Sequence, residues 1–342
     1  MSETAGPYLT LDDVLLVPQY SEIESRNDVS LKTRLAPGLE LDLPIIAANM
    51  DSVCEDEMAI AIGRKGGLGV IHRYMPVEAQ CAQVRAVVAS LRDKPVAAAV
   101  GAKNGTVEHV AKLLDAGASV IVVDVAHGHH KAVIQTIQKI KDIKAVIIAG
   151  NVATLKGAVA LWEAGADVIK VGVGPGSVCT TRMVTGHGVP QLFAVAQCSM
   201  GEMDEIPIIA DGGVRNSGDI VKLLATGARA VMVGSLLAGT DESPGEIFSN
   251  PKGERTKIYR GMSSADAQKA FFGNYSEAPE GVSISVPYQG PVDPVLARLA
   301  AGIRSGLSYS GATTIEDLRK RAQWIRISEA GKAESRALSA GE

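Results

Sequence analysis

Three stretches of this chain repeat one short phrase. Leu114-Asp115-Ala116-Gly117-Ala118 runs into Val120–Asp124, and Trp162-Glu163-Ala164-Gly165-Ala166 into Val168–Gly172. Leu224-Ala225-Thr226-Gly227-Ala228 leads in the same way into Ala230–Gly234. Each copy ends an amphipathic stretch at a glycine suited to a helix cap, then enters an apolar run after a very short turn. A chain written in such units has few folds open to it, because a buried strand that follows a helix so abruptly belongs to a parallel sheet.

Apolar, β-branched runs recur along the sequence. The strand candidates are Leu43–Asn49, Gly67–His72, Val96–Gly101, Val120–Ala126, Ala145–Val152, Val168–Gly174, Ile206–Val214 and Ala230–Gly239. Helical patterns lie between them, as at Thr106–Ala116, Thr154–Ala164 and Ser217–Ala225. Eight strands with short returns predict an α/β fold, a (β/α)8 TIM barrel in a single domain spanning 1–342. A doubly wound open sheet is the competitor, but its phosphate glycines follow the first strand. Here the glycine-rich segments follow strands six, seven and eight. A catalytic loop is expected at 172–188 and an excursion from the βα rhythm at 259–292. The small and charged residues 329–342 read as a loosely held tail.

The 342 residues are 46% hydrophobic and 21% charged with a net charge of −4, which excludes disorder, collagen and a coiled coil. No apolar run reaches the length of a membrane span. The N-terminus lacks the basic and apolar regions of a signal peptide, so a cytoplasmic chain is expected. A mildly acidic sequence without a basic tract is a poor nucleic-acid binder. None of Cys54, Cys81, Cys179 and Cys198 has C-x-x-C spacing, so disulfides and structural zinc are not expected.

The chemistry concentrates after strand six, in Gly172-Val173-Gly174-Pro175-Gly176-Ser177-Val178-Cys179-Thr180-Thr181-Arg182. Glycines and a proline permit a backbone path that cradles an anion or a monovalent cation. Cys179 is placed on the catalytic rim beside hydroxyls and an arginine able to favour thiolate. The other three cysteines lie in helical patterns and read as structural. Asp211-Gly212-Gly213 and Gly234-Ser235 occupy the two positions where barrels bind phosphate, with Asp211 suited to ribose hydroxyls. Together these features indicate a ribonucleotide attacked by sulfur. His127, His129 and His130 lie close together without carboxylates at metal-ligand spacing and read as loop residues.

The cysteine loop resembles that of the IMP dehydrogenase/GMP reductase family. So do Leu9–Pro18, Ala48-Asn49-Met50-Asp51-Ser52-Val53, Asp211-Gly212-Gly213 and Tyr259-Arg260-Gly261-Met262-Ser263-Ser264, and the likeness runs from about Leu9 to Ile327. The resemblance implies a homotetramer in which Cys179 attacks purine C2 while hydride moves between C2 and a nicotinamide. Dehydrogenases then hydrolyse the adduct with an Arg-Tyr flap, whereas reductases release ammonia with a Thr–Glu pair, here matched by Thr181 and Glu280. The resemblance gives phosphate to Ser177, Gly213, Gly234, Ser235 and Tyr259, and ribose to Asp211. It gives the base to Met50, Gly261, Met262 and Ser263, and the nicotinamide to Asp124, Ala126 and Gly128. A potassium ion would sit on the backbone of Gly174, Gly176 and Cys179.

The flap is nearly absent, since Asn274 precedes Tyr275 just before Ala278-Pro279-Glu280-Gly281. Asn49 is reductase-like, and no regulatory CBS module interrupts the passage from strand two to strand three. Against this, Tyr275-Ser276-Glu277 replaces the Tyr-Arg of reductases, and Ile206–Thr240 and Ile303–Leu307 look dehydrogenase-like. The resemblance therefore favours NADPH-dependent reduction of GMP to IMP and ammonia. The alternatives are an IMP dehydrogenase without CBS domains, a reductive deaminase of a deazapurine nucleotide, and a nucleotide-binding regulator without turnover.

Overall fold

The computed structural model describes residues 8–199 and 206–335. Its centre is a closed barrel of eight parallel strands. These are Ile45–Ala47, Leu68–Ile71, Ala97–Val100, Val120–Asp124, Val146–Val152, Val168–Val171, Ile208–Asp211 and Ala230–Val233. Each pairs with the next in chain order, and the eighth closes on the first with Val231, Met232 and Val233 opposite Ile45, Ile46 and Ala47. All eight fall inside the expected runs. The runs overshoot mainly at their C-terminal ends, where residues such as Gly172 and Gly212 leave the ladder to form loops.

The apolar runs are buried on both sides, Ala97, Ala98, Ala99 and Val100 among them. Their outer faces are covered by helices such as Thr106–Asp115, which buries Val110 and Leu113. The glycines of the repeat do what their position predicts. Gly117, Gly165 and Gly227 have φ of +100°, +111° and +132°, a conformation that lets each helix stop and turn directly into the next strand.

The rest of the chain decorates this barrel. The strand Val14–Leu16, ahead of the barrel, pairs antiparallel with Trp324–Arg326, which follows it. The excursion begins before the expected 259: it is a three-stranded antiparallel sheet, Phe248–Ser249, Arg255–Arg260 and Ser283–Pro287, with the helix Ala265–Phe272 inserted before its last strand. One helix, Val77–Leu91, joins the second barrel strand to the third. No described helix is long and apolar enough to cross a membrane.

Two further expectations need correction. The start of the expected tail is a helix, Glu329–Glu334, in which Ser328 accepts the Gly331 N–H and Lys332 lies 3.5 Å from Asp12. Residues 336–342 lie outside the described residues. Cys54 is not helical: it sits buried in the turn after the first strand, ahead of the helix Asp56–Arg64.

Close packing of helix on strand leaves one position with no tolerance. A Cβ on Gly69 would lie 2.4 Å from the Ala59 Cα, a backbone atom of the helix Asp56–Arg64. Gly69→Ala should cost about 1–3 kcal/mol through overpacking. Calorimetry should show Tm lowered by several degrees; an unchanged Tm would mean that this helix gives way freely.

Candidate active site

Four consecutive barrel strands, the fourth to the seventh, each place one polar residue at the mouth, and these four meet. Lys170 Nζ lies 2.6 Å from Asp124 Oδ1 and 2.7 Å from Asp211 Oδ2, and also donates to Asn151 Oδ1. Asn151 Nδ2 donates to Asp211 Oδ2 at 2.9 Å and to the Gly172 carbonyl at 2.7 Å. Lys170 is 2% exposed. Burial alone would push its pKa down, but Asp124 and Asp211 reverse the effect and hold it above the ordinary lysine value. Burial likewise pushes Asp124 up, and the attraction of Lys170, helped by an Asn49 hydrogen bond, outweighs it.

Above this cluster opens a cavity of about 470 Å³ on the C-terminal face of the barrel. The cysteine loop forms one wall. Its first glycine has no substitute, because a Cβ on Gly172 would lie 1.9 Å from the Asp211 carbonyl oxygen. The half-buried Cys179 donates its thiol to Thr181 Oγ1 at 3.2 Å, and Thr181 donates to Glu280 Oε2 at 2.7 Å. Glu280 arrives from 99 residues away. Its N–H donates to the Ser263 carbonyl, and its own carbonyl accepts the Thr180 N–H. Gly281 forms bridges with both Cys179 and Ser264. A Cβ there would come within 3.1 Å of the Ser264 nitrogen and 3.2 Å of the Val178 carbonyl, so glycine is what lets the three segments close.

Arg182 lines the cavity together with Cys179; its guanidinium donates to the Val189 carbonyl, and its side chain packs where a Cβ on Gly174 or Gly188 would fall, which braces the loop. Burial pushes the thiols of Cys54, Cys81 and Cys198 up, Cys198 to about 12. None of the three lines the cavity.

Ser177, Gly213, Gly234, Ser235 and Tyr259 line the cavity together. Tyr259 is buried with its phenol bonded to Ser177 and to the backbone of Ser235. Burial pushes the phenol up to about 12, so it stays protonated. A Cβ on Gly234 would lie 2.6 Å from that hydroxyl. Met50, Gly261, Met262 and Ser263 form another wall, with the Asp51 N–H 3.3 Å from the Met262 sulfur. Arg260 holds Asp51 through Nε and Nη2, which ties the excursion to the loop after the first strand.

Asp124 and Ala126 reach the cavity and Gly128 does not. The Gly128 N–H donates to the Asn151 carbonyl at 2.7 Å, which places it behind the floor. His130 caps the helix Lys131–Ile140 through Nδ1, and neither it nor His127 or His129 lines the cavity. No group of three or more His, Cys, Asp or Glu among the described residues could hold a metal ion.

Sequence reasoning passed over Lys170, Asn151, Gln191, Arg73 and Tyr74, all of which line the cavity. Gln191 Nε2 donates to the carbonyls of Val171 and Asp211 and so braces the floor. Tyr74 stacks on Phe271 of the excursion helix at 5.1 Å. A signal for Lys170 was present: it is the one charge inside Val168–Val171, and a cation buried in a strand demands carboxylate partners.

The IMP dehydrogenase/GMP reductase domain model matches residues 8–337. An inosine-5'-monophosphate dehydrogenase of Cryptosporidium parvum is 40% identical over 387 positions, covering 98% of this chain and 96% of its own length. A GMP reductase of Leishmania donovani is 34% identical over 472 positions, covering 96% of each. A solved GMP reductase of Trypanosoma brucei, a cysteine-to-alanine variant in complex with guanosine 5'-monophosphate, superposes with a TM-score of 0.93 at 32% identity over 99% of both chains. Dehydrogenase alignments run over 387 positions in Cryptosporidium parvum and 463 in Bacillus subtilis, and that of the Leishmania donovani reductase over 472, so the direct passage from strand two to strand three carries no weight between the two activities. The chain belongs to the IMP dehydrogenase/GMP reductase family and is a purine nucleotide oxidoreductase.

Proposed function

We propose that the chain catalyses the reductive deamination of GMP to IMP and ammonia with NADPH as reductant. The observation that carries this reading is the unbroken hydrogen-bonded line from Cys179 through Thr181 to Glu280. A thiol that donates to a hydroxyl, which donates to a carboxylate, can lose its proton toward Glu280. The thiolate then forms a bond to purine C2. The exocyclic amine departs as ammonia only once protonated, and the proton held by Glu280 returns to it through Thr181. NADPH, when bound, supplies the hydride that becomes the C2 hydrogen of IMP, and the C2–S bond breaks to restore the thiolate.

The turn before Glu280 supports the same choice. Tyr275 is 56% exposed and its neighbour is Asn274. The turn is folded on itself, with the Ser276 N–H on Gln268 Oε1 and the Ala278 N–H on Ser276 Oγ. No arginine adjoins the tyrosine in the sequence to activate water. In this reading phosphate rests on Ser177, Gly213, Gly234, Ser235 and Tyr259, and ribose on Asp211. Met50, Gly261, Met262 and Ser263 border the base.

In this reading the dinucleotide lies beside Asp124 and Ala126, which line the cavity. Arg73 lines that end, where its charge also acts on the Asp124 carboxylate, and a guanidinium there suits an anionic group. A potassium ion is less well matched. The Gly176 carbonyl already accepts the Cys179 N–H, and Arg182 packs on Gly174, so the loop keeps its shape through its own contacts. No step above depends on a cation.

A panel of GMP, IMP and deazapurine monophosphates, scored by NADPH oxidation and ammonia release, should single out GMP. Formation of XMP from IMP and NAD, with no GMP-dependent NADPH oxidation, would make the chain a dehydrogenase. Turnover of a deazapurine nucleotide in preference to GMP would move the substrate but not the chemistry. Thr181→Ala and Glu280→Gln should each lower kcat by about 10²–10⁴-fold with little change in GMP affinity. Loss of GMP binding with unchanged kcat would remove the relay.

A further inference from the structure

The floor of the cavity holds a cation whose every donor is in use. An ammonium has three N–H bonds, and Lys170 directs them to Asp124, Asn151 and Asp211. It has no donor left for a substrate, and its two carboxylates keep it charged, so it is no general acid. The carboxylates it joins belong to different parts of the cavity. Asp211 leads into Gly212-Gly213 and lies beneath the cysteine loop, where a Cβ on Gly212 would lie 3.0 Å from Pro175. Asp124 leads into Val125 and Ala126 on the side lined by Arg73. Asn49 braces Asp124 and Asn151 braces Asp211. Each carboxylate keeps one oxygen on the shared ammonium, Asp124 Oδ1 and Asp211 Oδ2, so the direction in which its other oxygen meets a ligand is set by that bond.

We propose that Lys170 is a positioning residue that couples the nucleotide half of the site to the dinucleotide half, so that filling either strengthens binding to the other. The proposal rests on the reading of the cavity as a site for both ligands. Whichever ligand binds first orders the shared Lys170–Asn151 frame, and the second finds it already ordered. Linkage makes the effect reciprocal.

Equilibrium titration of the full chain with GMP and with NADP⁺, each alone and then with the other saturating, tests this without turnover. In the wild type each ligand should tighten the other by about 5- to 150-fold. In Lys170→Met that factor should fall to near one. GMP binding should also differ from the wild type in pH dependence, tightening more steeply as pH falls, because Asp124 and Asp211 lose the ammonium between them and only Arg73 still acts on Asp124. Lys170→Arg should restore coupling in part. Asp124→Asn should weaken GMP binding although Asp124 lies on the dinucleotide side.

Coupling that survives in Lys170→Met overturns the proposal, as does a pH-independent loss of affinity in that variant. If Lys170→Met does not fold by circular dichroism, Asp124→Asn decides, and undiminished coupling there overturns it. Wild type that binds both ligands independently overturns this proposal alone. Wild type that binds neither overturns the reading of the cavity, and this proposal with it.

Discussion

The mouth of the barrel is organised around one buried positive charge. An ammonium at the position of Lys170 is tolerable only if carboxylates from other strands reach it. Asp124 and Asp211 do so from two strands away and one strand away respectively. That requirement and the parallel ladder enforce each other. Asp124 stands opposite Gly150, Gly150 opposite Lys170, and Lys170 opposite Ile209, so a slip of one residue in any of these pairings would break the cluster. The polar floor is therefore a product of strand register, and the loops above inherit their positions from it.

What lies over that floor comes from two distant parts of the chain. The loop after the sixth strand brings Cys179 and Thr181, and the excursion brings Glu280. They are joined by backbone: Thr180 to Glu280, Glu280 to Ser263, Val282 to Val178. Glycine at 261 and 281 allows this, since a side chain at either would press on the Val178 carbonyl. The Arg260–Asp51 pair also anchors the excursion to the loop after the first strand. The contact between Thr181 and Glu280 is held by main chain on both sides and does not depend on two long side chains finding each other.

Much of this was legible in the sequence, for reasons that differ by level. The barrel could be read because a buried parallel strand writes itself as an unbroken apolar run, and the glycines at 117, 165 and 227 mark each return. The cysteine loop could be read because its glycines and proline have few other uses. The floor as a unit was not read. Asp124 and Asp211 were each given to a ligand, but Lys170 and Asn151 look like isolated polar residues in apolar runs, and only the stagger of four strands reveals that all four share one point. Gly128 was misplaced for a related reason: proximity in sequence to Ala126 says nothing of which side of the floor the chain has turned to. Spacing put Arg182 near the thiol, and both line the cavity; what spacing did not show is that its length also lets it fold over Gly174.

The pairing of Val14–Leu16 with Trp324–Arg326 bears on how the molecule is made. Thr10, Leu11 and Asp12 line the cavity, and Asp12 holds Arg215, two residues beyond Gly213. These residues are synthesised before the barrel; Arg215 and Lys222 hold them from the barrel side, and the strand paired with the adjoining Val14–Leu16 emerges only after it. A nascent chain with all eight barrel strands complete still lacks its final wall beside Gly213. Loss of Trp324–Arg326 would be felt at a wall built from residues some three hundred positions earlier.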